Sequence, residues 1–151
     1  MNGDTQMQVN NLSDVGLTLA ATAVQSWPIP SGSNLNLAET AIGQQGAANA
    51  IAVGSVTIVP TGTVTASDST FWTITVAKRT AGGSPTTIAS ATTKTSGSGG
   101  TGNWAAFTPV KLTVVAGAFL AAGDVCTLTI AVTSTPGTFP ASQLEVFTTV
   151  N

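Results

Sequence analysis

The 151-residue chain contains no histidine and no tyrosine, and it has a single cysteine. Without imidazole there is no Ser-His-Asp or Cys-His catalytic arrangement and no zinc site that needs a His ligand. One cysteine sets up neither a disulfide framework nor a cysteine metal cluster. In "DVCTLTIAV", Cys126 reads instead as a small buried apolar residue. Charge is scarce too: 7% of residues are charged, against roughly 25% in an average soluble protein. With four basic residues and a net charge of −2, the chain cannot neutralise a run of phosphates, so nucleic acid is not an expected partner. Long apolar runs are also missing. The longest charge-free stretch, 40–67, is interrupted by Gln44, Gln45, Asn49 and Pro60, whereas a spanning helix needs about 20 mainly apolar residues. No membrane span is expected. The N-terminus "MNGDTQMQVNNLSD" has neither a basic start nor an apolar segment, so it does not read as a signal peptide and a cytoplasmically made product is expected.

The carboxylates are Asp4, Asp14, Glu39, Asp68, Asp124 and Glu145. No spacing among them suggests the facing pair that glycoside hydrolysis requires. Asp68 in "ASDST" and Asp124 in "AAGDV" each precede a strand-like run, in turns where Asp bonds its own backbone. A calcium site built from such turns would need clustered acids, and neither turn has them. "SGSGGTGN" is glycine-rich but lacks the Lys-Ser/Thr ending of a phosphate loop, and reads as a flexible hairpin loop. Asn11-Leu12-Ser13 is a formal glycosylation sequon. These residues give no catalytic, cofactor-binding or metal-binding set, and the chain is not expected to be an enzyme.

What is present is alternation. In "FWTITVAKR", Trp72, Ile74 and Val76 point one way and Phe71, Thr73, Thr75 and Ala77 the other. In "CTLTIAV", Cys126, Leu128, Ile130 and Val132 share a face. Val56 and Ile58, Leu112 and Val114, and Leu144, Val146 and Val150 repeat the pattern of half-buried strands. Threonine is β-branched, so a Thr-rich outer face makes strands without using charge. Turn chemistry separates the runs at Pro60, Ala81, Ser96, Ala121 and Ser134. The expectation is an all-β fold: a jelly-roll-like antiparallel β-sandwich over 49–151, preceded by an extended N-terminal arm over 1–48 with one or two β segments.

Within that arm, "SWPIP" is a rigid stretch, because proline fixes its own φ and restricts its predecessor. Trp27 there either packs on its own sandwich or anchors the arm on another chain. Trp27, Pro28, Ile29, Pro30, Leu35 and Leu37 are the candidate docking residues. Lys78 and Arg79 fall on opposite sides of a strand end. They mark either the point where the sheet meets water or salt bridges to a neighbouring subunit. Trp104 and Phe107 in "GNWAAFTP" are candidates for an exposed aromatic platform, with Trp104 as a surface contact. A surface this poor in charge suggests coverage by a partner or by further copies of the chain.

From Val53 to Val150 an ordered set of segments carries a family resemblance. "FWTITVAKR" is followed by a glycine turn and "TTIASATTKTSGSGG". Then come "FTPVKLTV", "LAAGDVCTLTIAVTSTPGTFP" and a final "LEV" strand. This set resembles tailed-bacteriophage capsid decoration (cement or head-fibre-like) proteins with a jelly-roll domain. The resemblance implies a noncatalytic virion protein without a cofactor. It would bind the major capsid protein on the capsid exterior, often as a trimer. A glycan- or receptor-binding module of a phage fibre is the alternative. In the first reading the arm attaches the protein, so removing it before Ala48 is expected to leave a folded sandwich that no longer binds capsid.

Overall fold

The computed structural model describes residues 22–44 and 50–150. The sequon at Asn11 and the rest of 1–21 lie outside the described residues. Twelve strands follow in chain order: β1 (Thr22–Ile29), β2 (Gly32–Ser33), β3 (Leu37–Gln44), β4 (Ile51–Pro60), β5 (Phe71–Arg79), β6 (Thr86–Thr92), β7 (Val110–Lys111), β8 (Thr113–Val114), β9 (Phe119–Leu120), β10 (Val125–Thr133), β11 (Thr138–Phe139) and β12 (Ser142–Val150). One sheet runs β1-β12-β4, with β7 and β9 both on the far side of β4. The other runs β3-β10-β5-β6-β8, and β2 pairs with β11 in a small third sheet. All these strand pairs are antiparallel. If the short β7–β9 run counts as one strand that crosses between sheets, eight strands lie in the orders 1-8-3-6 and 2-7-4-5. This is the double-sheet arrangement of a jelly roll.

The period-two pattern produces the core as expected. Trp72, Ile74 and Val76 of β5 are buried, as are Cys126, Leu128 and Ile130 of β10 and Leu144 and Val146 of β12. Their intervening residues alternate outward, as pleating requires. In β4 the parity changes midway: Ile51 and Val53 are buried, and then Val56 and Ile58. The register explains this. Phe147 pairs Ser55 and Thr148 pairs Val53, which leaves Gly54 as an extra residue. A bulge of this kind turns the next side chain back to the same face. One end of the core is aromatic. The Phe139 ring meets Trp72 edge-on at 5.3 Å and Trp104 edge-on at 5.9 Å.

The expected division at residue 48 is not a boundary in the described structure. β1 pairs with β12 along its whole length, and β3 pairs with β10. The described part of the expected arm is therefore the first two long strands of the jelly roll, one in each sheet. Ile29 is 2% exposed and belongs to the core, and Leu35 and Leu37 pack partly against it. Trp27 is half-buried. A Cβ on Gly43 would lie 2.8 Å from its Cζ2, so the indole fills space at β3 that only glycine leaves open. Trp27 thus packs on its own sandwich, linking the two first strands. Pro28 and Pro30 are exposed. Pro28 is tolerated because β1 is an edge strand with one side unpaired. The physical reason for this correction is that β12 and β10 each need a second neighbour, and these segments supply it.

Deleting residues 1–48 therefore removes a partner from each central strand and opens the core at Ile29. Loss of one such buried side chain alone costs about 2–5 kcal/mol, against a typical total of about 5–15 kcal/mol. The truncated chain is expected to show no cooperative thermal transition by circular dichroism. A sharp melt near that of the full chain would contradict this.

Candidate functional site

Two features stand apart from ordinary strand packing: the ionic cluster at the end of β5 and the loop that carries Trp104 and Phe107. In the first, alternation along β5 sends Lys78 to the inner side and Arg79 to the outer side, as expected. Lys78 Nζ lies 3.3 Å from Asp124 Oδ2 and 3.6 Å from the centre of the Phe119 ring. Asp124 is fully buried. Its Oδ1 accepts a hydrogen bond from Thr80 Oγ1 at 2.6 Å, and its Oδ2 accepts one from the Ala121 amide at 2.8 Å. Burial alone pushes the Asp124 carboxyl up. The Thr80 hydroxyl, the Ala121 amide and the Lys78 ammonium together outweigh it and hold the group below its ordinary value. On the outer side, Arg79 grips Glu39 with two parallel bonds, Nε to Oε1 at 2.8 Å and Nη2 to Oε2 at 2.5 Å. Thr127 Oγ1 donates to the same carboxylate at 2.9 Å. The Arg79 and Thr127 bonds hold Glu39 below the usual carboxylate range. Strands β3, β10 and β5 are thereby tied across their outer face.

Lys78 and Arg79, expected to mark a solvated strand end or salt bridges to a neighbouring subunit, each have a carboxylate partner within their own chain. Their side chains are 13% and 34% exposed, and both charges are paired inside the chain. The acidic partners were invisible to local pattern, because Glu39 comes from β3 and Asp124 from the turn before β10. Asp68 differs from its expected role as well. It accepts the Thr95 amide at 3.0 Å across to another loop, while Ser67 Oγ takes the amides of its own turn.

Trp104 is not a surface residue. It is 2% exposed, its backbone exchanges hydrogen bonds with Val64 at 2.9 and 3.1 Å, and its Nε1 donates to Thr101 Oγ1 at 2.8 Å. The aromatic platform expected from "GNWAAFTP" is corrected accordingly: the loop folds over the end of the sandwich and uses Trp104 as its anchor. Phe107 is what the loop displays. It is 74% exposed, and it has a φ of 58°, in the left-handed region that bulky side chains avoid. The Thr108 amide bonds Ala105 O at 3.3 Å, so Phe107 sits at the third position of a turn. The comparable turns closed by Gly83, Gly100, Ala118 and Asp124 have Gly82, Gly99, Gly117 and Gly123 at that position, all with positive φ. Among the described turns, only this one places a large apolar side chain where the turn favours glycine. The Phe107 amide bonds Pro60 O at 2.7 Å and holds it there.

Beside this loop lies an open groove of about 410 Å³, lined in part by Asn103, Thr108, Pro109 and Lys111. No group of three or more potential metal ligands is found among the described residues, and no described helix is long and apolar enough to cross a membrane. The chain matches no family model, no curated protein and no solved structure.

Asp124→Ala leaves the Lys78 ammonium, 13% exposed, without its carboxylate and is expected to destabilise the fold by up to about 3 kcal/mol. Because Asp124 and Glu39 titrate lower in the folded chain than in the unfolded one, stability is full above about pH 4 and falls as the pH drops below it. Melting curves from pH 7 to pH 3 should show this acid-side loss reduced in Asp124→Asn. Separately, Phe107→Gly relieves the left-handed backbone and should raise stability by about 1 kcal/mol, read as a higher melting temperature. On protein dilute enough that association adds nothing to the melting temperature, an unchanged or lower value would mean the turn is not strained.

Proposed function

We propose that this chain is a noncatalytic structural protein of a virion, acting without a cofactor. It binds the outer surface of a tailed-phage capsid through the major capsid protein and works as an oligomer, with a trimer as the expected state. The observation that carries this reading is how little unpaired positive charge the described surface retains. Lys78 and Arg79 are paired with Asp124 and Glu39, and Lys94 lies 4.3 Å over the Phe71 ring. Glu145 accepts a bond from Thr57 at 3.3 Å. Among the described residues Lys111 is the one cation without such a partner. What remains outward is largely threonine, serine, alanine and glycine, with uncharged edge-strand backbone at β1. Surfaces of this kind associate rather than repel. The segment order from Val53 to Val150 supplies the capsid part of the reading.

The mechanism is mechanical. Apolar area removed from water contributes about 25 cal/mol per Å² before the costs of association. Modest contacts repeated over a shell act together through avidity. A second reading, a glycan- or receptor-binding module, is favoured by the groove whose Asn103, Thr108 and Lys111 offer hydrogen-bonding groups beside an exposed ring. Light scattering on the purified chain is expected to give three times the 14.9 kDa chain mass, and the protein should pellet with capsids stripped of it. A monomer that stays in the supernatant and is retained on a glycan array would favour the second reading instead.

A further inference from the structure

Among the described residues, three of the four exposed large apolar side chains are Phe107, Val115 and Phe119. The last two border a small depression of about 140 Å³, lined also by Lys78, Thr87, Ile88 and Ala118. Its polar backbone is already engaged. The Val115 amide bonds Ile88 O at 2.9 Å, the Ala118 amide bonds Val115 O at 3.0 Å, and Ala118 O accepts the Val53 amide at 3.0 Å. Apart from the Thr86 and Thr87 side chains the walls are apolar, and the one charge present is the Lys78 ammonium. A cavity of roughly 150 Å³ is enough to take benzene. The Lys78 ammonium is already engaged by Asp124 and by the Phe119 ring, so what the depression offers an incoming ring is apolar surface rather than a free charge.

The chain carries one ring suited to this socket. Phe107 projects from a rigid turn, and its backbone is fixed in advance, so little conformational freedom is lost on insertion. It cannot reach its own socket. The Phe107 amide is bonded to Pro60, whereas Phe119 pairs with Ala52. These are opposite ends of β4, roughly 26 Å apart at about 3.3 Å per residue.

We propose that Phe107 of one copy inserts into the Val115–Phe119 socket of the next, joining copies of this chain head to tail. This rests on the oligomeric reading given above and names its contact. Such a heterologous contact uses two different surfaces, so it closes into a ring or extends into a filament according to the rotation between copies. It also means that each copy has one knob and one socket, which makes the contact separable by mutation.

The test is light scattering on the full chain and two variants across a dilution series. Phe107→Gly removes the knob and relaxes its turn, so loss of association cannot be assigned to unfolding. Val115→Asp places a carboxylate on the rim of the socket at a half-exposed position. Each variant alone should run at the mass of a single chain. Mixed, the intact socket of the first and the intact knob of the second should give a 1:1 complex of two chains. Phe107→Trp should keep the wild-type mass. If wild type is an oligomer and either variant keeps its mass, or the mixture stays at one chain, the knob-and-socket contact is wrong while the oligomeric reading survives. A wild type that runs as a single chain overturns both. Pelleting of the variants with stripped capsids reports separately on capsid binding.

Discussion

The structure depends on two central strand pairs, β10 with β5 and β12 with β4, whose inward side chains meet across the sandwich. Both pairs run nine residues in register, apart from the bulge at Gly54. Their Thr-rich outer faces need no charge to remain polar, which is how the fold persists with so few ionisable groups. The pairs are nevertheless incomplete alone, since β10 and β12 each have a second side to fill. β3 and β1 fill those sides, and Trp27 lies against Gly43 where the two first strands meet. The edges of the sheets are thereby moved outward to strands with little charge.

Charge is used sparingly and inward. A buried ion pair is a poor source of net stability, because desolvation offsets most of its attraction. Lys78 and Asp124 are better understood as fixing where the turns before β6 and β10 sit. Thr80, the Ala121 amide and the Phe119 ring complete the shell around them. That placement also forms the wall of the Val115–Phe119 depression, so the same pair that orders the end of β5 shapes the surface beside it.

The two ends of the sandwich are chemically different. At one, the Trp72, Phe139 and Trp104 rings close the core, and the loop over them displays Phe107 in a backbone conformation that costs energy. Strain at an exposed, bulky residue has no packing benefit within the chain to offset it. At the other end, glycine turns and small residues leave a shallow apolar depression. The groove at Asn103 and Lys111 lies beside the first of these ends and is separate from the second.

Much of the fold was legible from residue order. Alternation through β5, β10, β4 and β12 determined which faces turn inward, because the pleat has a period of two whatever surrounds it. The turn residues marked the breaks, and the lack of His and of clustered acids narrowed the chemistry. The segments at 22–44 were misread as an arm because "QSWPIPSGSNLNLAET" is rich in proline and small polar residues, and nothing local shows that β12 and β10 lack a neighbour. Trp104 stands outside any alternating run, so its burial follows only from the loop folding back onto Val64 and Phe139. Gly54 looks like any other glycine until the register of β12 makes it a bulge. The pairing of Arg79 with Glu39 and of Lys78 with Asp124, and the separation of Phe107 from the Val115–Phe119 depression, were decided by tertiary structure alone. They join residues about 40 or more positions apart or lie at opposite ends of one strand, and local sequence carries no information about which distant strands will become neighbours.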